Sequence, residues 1–270
     1  MLLVKNLLKS YDVCKKNGQR SKVWAVNNLS IQIGKGECHG LLGESGSGKS
    51  TLSRLILGLE KPDIGEVIFL GRNIFLMKER ERKKIRKEMQ IVFQDSYSSL
   101  NPRMKIYDSI AEPIRSFESI SYQEERKKVA FLLARVGLSE RDGPKYPHQF
   151  SGGQQKRICI ARAIATSPKL IILDEAVSGL DAIIKKKILD LLIELKKEMH
   201  SSYLVITHDL EVAWYMSQKI SVMKDGAIVE TVGKINSLED FKHPYSRLLI
   251  SFLPPTFLPE KQRLKRTMGK

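Results

Sequence analysis

Two stretches near the start of the chain, at positions 1–7 and 23–33, alternate apolar and polar residues. This period of two predicts antiparallel strands. Later apolar runs are short and nearly continuous, and they predict buried strands at positions 38–42, 90–93, 170–173 and 203–207. A helix is predicted from Lys49, with apolar residues at helical spacing: Leu52, Leu55, Ile56 and Leu59. Short buried strands that alternate with helices indicate an α/β fold whose parallel sheet is covered on both faces.

The middle of the chain has a different pattern. Residues 106–149 are helix-rich and lack strand-like runs, and their clearest predicted helix spans 124–136. We therefore predict a helical subdomain, at about residues 95–160, inserted into a main domain that covers residues 1–234.

The end of the chain is predicted to form a short appendage at 235–270. Just before it, Asp225-Gly226 lies between two apolar runs, which is a strong hairpin signal. Within the appendage four prolines discourage regular structure, namely Pro244, Pro254, Pro255 and Pro259.

The 270 residues carry a formal net charge of +16, concentrated at positions 78–88 and 261–266. Neither segment interleaves aromatic residues that could stack on bases. A solvated face, or one near anionic lipid headgroups, is therefore favoured, and no nucleic-acid partner is expected. The three cysteines, Cys14, Cys38 and Cys159, are widely spaced, which predicts free thiols in a reducing compartment.

The sequence contains no apolar stretch near the roughly 20 residues that a membrane-spanning helix needs. The first residues also lack the long apolar core of a secretory signal. We therefore expect an intracellular protein that reaches any membrane by docking.

A phosphate-binding loop is predicted at positions 43–50, which fit G-x-x-x-x-G-K-[ST] between a predicted strand and a predicted helix. Its glycines let backbone N–H groups face one anion, and the helix N-terminus adds its dipole. Lys49 is expected to reach the β- and γ-phosphates, and Ser50 to bind Mg²⁺. The alternative is a glycine-rich turn without a ligand. The predicted ATP contacts here are Gly43, Glu44, Ser45, Gly46, Ser47, Gly48, Lys49, Ser50 and Thr51.

Two carboxylates, Asp174 and Glu175, end the predicted strand at 170–173. This places them at the carboxyl edge of the sheet, where open α/β sheets bind ligands. We expect Asp174 to hold the magnesium ion through a water and Glu175 to polarise the attacking water. The alternative is an acidic helix N-cap.

With this phosphate loop and these two carboxylates, the chain resembles the nucleotide-binding subunits of ABC transporters over nearly its whole length. The resemblance implies a P-loop NTPase (RecA-like) core with an antiparallel N-terminal β subdomain and an inserted helical subdomain. It implies that Tyr11 stacks on adenine, that Gln94 senses Mg²⁺ and the transmembrane partner, and that His208 contacts the γ-phosphate. Taken singly, an aromatic residue, a glutamine or a histidine at such a place is more often structural.

Two further segments carry the resemblance. One is the signature segment, defined as Ser151, Gly152, Gly153 and Gln154, which in this family contacts the ATP held by the opposite subunit. The other is the dimer-interface loop, defined as Ser178, Gly179, Leu180 and Asp181. Three residues depart from the usual family pattern without removing a reacting group: Phe150, Ala176 and Gly179.

The resemblance implies a sandwich in which each ATP lies between the phosphate loop of one subunit and the signature segment of the other. The expected catalytic residues are Glu175, His208 and Lys49, the magnesium-binding residues are Ser50, Gln94 and Asp174, and the cofactors are ATP and Mg²⁺. The expected partners are a second related ATP-binding subunit or a second copy, two permease subunits and an extracytoplasmic binding protein. The assembly places this chain at the cytoplasmic face of the membrane.

Residues 94–103 and 243–249 resemble segments typical of oligopeptide, dipeptide and nickel importers, and details at 174–178 and 253–255 are most similar to the E subunit of nickel importers. The sequence therefore predicts nickel import, with peptide import as the alternative. A non-transport ABC ATPase and a simple P-loop kinase are weaker alternatives, because the chain has no second cassette and because a kinase does not account for the signature segment.

Overall fold

The computed structural model describes residues 1–14, 20–233 and 237–251. Its first sheet is antiparallel, with strands β1 (Leu2–Cys14), β2 (Arg20–Ile33), β4 (Ile64–Phe69) and β5 (Arg72–Asn73) in the order β2-β1-β4-β5. Leu2 pairs with Ile33 on one side and with Phe69 on the other, and all three side chains are fully buried. The predicted strands at 1–7 and 23–33 are confirmed, and both extend further than the alternation alone indicated.

The second sheet contains β3 (Cys38–Leu42), β6 (Met89–Val92), β7 (Leu170–Asp174), β8 (Ser202–Thr207), β9 (Lys219–Lys224) and β10 (Ala227–Gly233), in the order β10-β9-β3-β8-β7-β6. Five of these strands run parallel, and β10 joins β9 as an antiparallel hairpin at Asp225-Gly226. The parallel sheet and the hairpin are therefore confirmed. The strand predicted at 90–93 lies one residue earlier.

Nine α-helices occur in the described part of the chain: α1 (Lys49–Ile56), α2 (Glu79–Glu88), α3 (Ser96–Ser99), α4 (Ile106–Phe117), α5 (Tyr122–Arg135), α6 (Gly152–Ile164), α7 (Ala182–Met199), α8 (Leu210–Met216) and α9 (Pro244–Ser251). Short 3-10 helices lie at Ile74–Leu76, Glu140–Asp142, Pro147–Gln149 and Leu238–Asp240. Side-chain caps begin several helices, because an oxygen at the N-cap satisfies a free N–H of the first turn. Ser121, Asp181 and Asp209 act in this way at α5, α7 and α8.

Helices α3 to α6 lie between β6 and β7, as the helix-rich middle segment predicted. Their apolar residues share one buried cluster with the sheet: Ile110 and Ile158 from the helices and Val92 and Leu173 from the strands belong to it. The division of the chain into a main domain, a helical subdomain at about 95–160 and an appendage remains a prediction.

Two expectations were wrong. Leu59 does not continue the buried face of α1, because the helix ends at Ile56 and Leu59 is exposed. The appendage is not irregular throughout, since α9 begins at Pro244. Proline is tolerated in the first helical turn, where its missing N–H has no partner to lose. The other three prolines and the basic stretch at 261–266 lie outside the described residues.

Within the described residues, no helix is both long and apolar enough to cross a membrane. The thiols Cys14, Cys38 and Cys159 are free, as predicted. No group of His, Cys, Asp or Glu side chains in the described ranges is arranged to hold a metal ion by itself.

Candidate active site

The phosphate loop joins β3 to α1 and is shaped by glycine. Gly48, the N-cap of α1, has φ of 101°, in the left-handed region that L side chains rarely adopt. A Cβ there would lie 1.9 Å from the carbonyl oxygen of Ala25, and one at Gly43 would lie 2.5 Å from that of Met223. Backbone atoms from β2 and β9 therefore enclose the loop closely and fix its path.

Lys49 is 5% exposed and lies across the loop that precedes it. Its Nζ donates hydrogen bonds of 2.6 Å to the carbonyl oxygens of Gly43 and Glu44. Burial lowers the pKa of Lys49, whereas the carboxylates of Glu175 and Asp174 raise it. The Lys49 ammonium therefore interacts electrostatically with the two carboxylates that were predicted at the sheet edge.

Asp174 is the last residue of β7 and Glu175 follows it, and β7 lies beside β8 in the sheet. Burial, and next the Glu175 charge, raise the pKa of Asp174, whereas Lys49 and the hydroxyl of Ser50 oppose the rise. Glu175 adopts a left-handed φ of 48°, which is costly for a residue with a side chain. Its Oε2 lies 2.9 Å from Nδ1 of His208, which follows β8. The predicted catalytic glutamate and histidine are therefore in direct contact.

Two of the three residues predicted to bind a magnesium ion lie together. Ser50 and the buried Asp174 lie together and offer oxygen atoms, the ligands that Mg²⁺ prefers. A divalent cation would also offset the unfavourable burial of the Asp174 charge. Gln94 follows β6 and is exposed. Ser50 and Asp174 therefore fit the ion, and the contribution of Gln94 stays a prediction.

Tyr11 lies on β1, in the other sheet, close to α1. Its hydroxyl donates a 2.6 Å hydrogen bond to Oε1 of Glu60, and burial raises its pKa, with the hydroxyl of Thr51 opposing the rise. The ring is 36% exposed. An exposed aromatic face beside the phosphate-loop helix is consistent with the predicted adenine contact.

The signature segment lies at the start of α6. Ser151 Oγ accepts from the backbone N–H of Gln154, and Gln154 Oε1 accepts from the backbone N–H of Ser151, which forms a capping box. Ser151, Gly152 and Gln154 are exposed. Among the described residues, no hydrogen bond joins this segment to the phosphate loop.

The dimer-interface loop connects Glu175 to α7. Ser178 Oγ donates a 3.0 Å hydrogen bond to the Glu175 carbonyl, and Asp181 caps the helix. Gly179 has φ of 74°, which explains why glycine rather than alanine suits this position. A Cβ at Gly153 would lie 2.8 Å from Ile184 of α7, so the loop leads from Glu175 to a helix that packs against the signature segment.

The model of the ABC transporter family matches residues 26–178, which is more than half of the chain and includes the phosphate loop, the carboxylates and the signature segment. The chain belongs to the ABC transporter family. It is 44% identical to the oligopeptide transport ATP-binding protein OppF of Lactococcus lactis subsp. lactis, over 88% of this chain and 75% of that protein. It is 43% identical to the glutathione import ATP-binding protein GsiA of Escherichia coli (strain K12), over 92% of this chain but only 40% of that protein.

The fold of this ABC ATPase is similar to that of the dimeric ATP-binding cassette MJ0796 bound to ADP and Pi. The TM-score is 0.78 at 33% identity, with 87% of this chain and all of that chain covered. The predicted ATPase fold is thereby confirmed, and so is the predicted activity, ATP hydrolysis coupled to transport.

Sequence reasoning missed the residues that tie the signature helix to the segment after Gln94. Lys156 is 2% exposed, and its Nζ donates to the carbonyl oxygens of Phe93 and Gln94 at 2.9 and 2.8 Å. Further along α6, Arg162 donates to the Ser99 carbonyl at 2.6 Å. A signal was available, since Lys156 lies on the same helical face as Ile160 and Ala163, and a charge on an apolar face requires a buried partner.

Proposed function

We propose that this chain is an ATP-hydrolysing subunit of an importer of short peptides. The observation that carries the proposal is its 44% identity with an oligopeptide transport ATP-binding protein over 88% of this chain. The relative named for glutathione import also acts on a short peptide. The nickel importer predicted from residues 174–178 finds no support among these relatives, so peptide import, the alternative, is favoured.

The geometry supports a division of roles within the phosphate site. Lys49 would exchange its hydrogen bonds to Gly43 and Glu44 for the β- and γ-phosphates, so that its positive charge neutralises the phosphate charge.

Glu175 would align the attacking water. His208, 2.9 Å from that carboxylate, would hold the carboxylate in place and contact the γ-phosphate. A magnesium ion held by Ser50 and Asp174 would neutralise charge on the phosphates, and Tyr11 would stack on the base.

The signature segment would act on the ATP of another subunit. It is exposed, and it presents the N–H groups of Gly152 and Gly153, in the first turn of α6, with a helix dipole behind them. An anion site of this kind would bind the triphosphate that the phosphate loop of the opposite subunit already holds. The dimer-interface loop would transmit changes at Glu175 across the interface between the two subunits. The dimeric cassette MJ0796 supports this arrangement.

The proposed partners are a second ATP-binding subunit, related or identical, two permease subunits and an extracytoplasmic binding protein. In this assembly the chain lies peripherally, at the cytoplasmic face of the membrane. Choice of cargo would reside in the permeases and the binding protein.

Uptake in a strain that lacks this chain tests the proposal. We expect uptake of labelled di- to pentapeptides to be lost and to return with the wild-type chain but not with Glu175→Gln. Nickel uptake should be unchanged. Loss of nickel uptake with normal peptide uptake would overturn the peptide assignment and restore the nickel interpretation.

A further inference from the structure

A contact between α7 and the residue after His208 has no role in the mechanism described above. Lys185 lies in the first turn of α7, directly after Asp181 ends the dimer-interface loop and caps the helix. The Nζ atom of Lys185 donates a 2.8 Å hydrogen bond to Oδ2 of Asp209, the residue next to His208. Helix α7 is thus joined by a charge-assisted hydrogen bond to the segment that carries the proposed catalytic histidine.

The Asp209 carboxylate uses its two oxygens for different contacts. Oδ1 accepts from the backbone N–H groups of Glu211 and Val212, at 2.9 and 3.4 Å, and so caps α8. An N-cap requires only one side-chain oxygen. The bond from Lys185 to Oδ2 is therefore an addition to the cap, and through it the carboxylate joins the start of α7 to the start of α8.

Packing gives the side chain of His208 little support. This side chain is 55% exposed, and its ring nitrogen Nδ1 lies 2.9 Å from Oε2 of Glu175. Before it, Thr207 is buried at the end of β8, and its Oγ1 accepts from the backbone N–H of Asp209 at 3.0 Å. The place of the imidazole therefore depends on the backbone between Thr207 and Asp209, and Lys185 is one of the groups that hold Asp209.

The same contact closes a path that begins and ends at Glu175. In one direction, the dimer-interface loop leads from Glu175 to α7 and Lys185. In the other direction, Glu175 contacts His208, which is followed by Asp209. The two branches meet at the Lys185–Asp209 pair. A displacement of the dimer-interface loop would therefore reach His208 through α7.

Stability alone does not account for a lysine at this position. The side chains of Lys185 and Asp209 are 29% and 25% exposed, and ion pairs open to solvent contribute little to folding. Helices α7 and α8 are also joined at the other end of α8, because the hydroxyl of Tyr215 donates a 2.5 Å hydrogen bond to Oδ1 of Asp190. The two helices therefore have a second contact, which does not involve the residues next to His208.

We propose that Lys185 is a positioning residue for ATP hydrolysis. Through Asp209 it holds His208 in contact with Glu175, and it makes this contact respond to the dimer-interface loop. The role of Lys185 rests on the functions proposed for Glu175 and His208, and it is independent of the cargo.

Lys185→Met in the full-length chain tests the proposal, because it removes the ammonium and keeps most of the apolar stem. A small misplacement of a catalytic group slows a reaction by up to about 100-fold, and we expect kcat for ATP to fall about tenfold. KM should stay within about twofold, because Lys185 lies outside the phosphate loop. Lys185→Arg should restore most of kcat, since a guanidinium also pairs with a carboxylate. Steady-state phosphate release at equal protein concentrations measures these values.

Asp209→Asn breaks the same pair from the other side and keeps the cap of α8, because asparagine is also a good N-cap residue. We expect this variant to lose as much kcat as Lys185→Met. The double variant Lys185→Met/Asp209→Asn should lose no more, because both changes remove one interaction. Losses that multiply in the double variant would show that Lys185 does not act through Asp209, and the proposal would be wrong.

Tyr215→Phe is the matched control, since it removes the other contact between α7 and α8 and should leave kcat unchanged. Normal kcat in Lys185→Met, or an equal loss in Tyr215→Phe, would overturn the proposal. Glu175→Gln serves as the reference, and full turnover in that variant would refute the proposed catalytic site. Normal turnover in Lys185→Met beside an inactive Glu175→Gln would overturn only the role of Lys185.

Discussion

The chain contains two glycine-rich anion sites that differ in how much of their surroundings it supplies. The phosphate loop is enclosed by backbone from β2 and β9, and Lys49, Asp174 and Glu175 converge on it from the sheet edge. The signature segment is exposed, and its side-chain hydrogen bonds are made within its own helix. The chain itself surrounds the phosphate loop with several charged groups, whereas one face of the signature segment is exposed. The difference fits the proposed sandwich, in which the signature segment of one subunit completes the ATP site of the other.

Removing the lysine from the enclosed site should have the largest effect. Lys49→Ala deletes the positive charge expected on the phosphates, so we predict that ATP turnover falls about 1000-fold, the upper range for loss of one group that stabilises developing charge. Steady-state phosphate release measures this, with circular dichroism to verify folding. Lys35→Ala, at an exposed lysine before β3, is the control and should retain full turnover. A Lys49→Ala chain with normal turnover would refute the phosphate assignment.

A change in the exposed site should separate binding from turnover. Ser151→Asp keeps an N-cap oxygen, so α6 should remain stable, but its carboxylate would repel the γ-phosphate of the opposite ATP. We predict about 100-fold slower turnover with an unchanged Kd for ATP in the isolated chain. Ser151→Thr retains the hydroxyl and should be much less affected. If affinity and turnover fell together in Ser151→Asp, the signature segment would act on the ATP of its own chain. The proposed difference between the two sites would then be wrong.

Acid should weaken the strand that leads into the phosphate loop. Burial, and then Lys219, lower the pKa of His39 on β3 to about 4, with Glu37 opposing. Its Nε2 lies 2.9 Å from Ser221 Oγ. The unfolded chain takes up a proton near pH 6.5 and the folded chain only near pH 4, so the free energy of unfolding should fall by about 3 kcal/mol over that window. Urea unfolding at several pH values measures it, and His39→Asn should flatten the slope. An equally steep slope in that variant would contradict the assignment.

The contacts that support the signature helix should have a smaller effect on stability. Lys156→Met leaves the carbonyls of Phe93 and Gln94 without their donor, and we predict a loss of about 2 kcal/mol in the free energy of unfolding. Urea titration measures this loss. Lys197→Met, at an exposed lysine of α7, should be neutral. Equal stability of the two variants would show that Lys156 does not anchor the helix.

The sequence was most informative where a structure is local. The phosphate loop, its flanking strand and helix, and the Asp225-Gly226 hairpin depend on residues a few positions apart, and the structure bears them out. Apolar runs likewise predicted the parallel strands, because strands buried on both faces have no polar side.

Contacts between distant parts of the chain could not be predicted from local sequence patterns. The Lys156 ammonium meets carbonyls more than sixty positions away, and only the fold shows that these groups meet. The hydrogen bond from Lys49 back to Gly43 and the left-handed φ of Glu175 also depend on tertiary packing. The predicted nickel cargo finds no support among the relatives, and the residues that choose the cargo would lie in other subunits.

In the proposed assembly, each catalytic pocket takes half of its groups from a second subunit. ATP turnover per chain as a function of protein concentration tests it most directly, for the full chain alone and mixed with the cassette that co-purifies with its permeases. We expect a rate per chain that rises with the concentration of paired subunits and that Ser151→Asp abolishes. A rate that is independent of concentration, reaches full speed in an isolated chain and is insensitive to Ser151→Asp would contradict it.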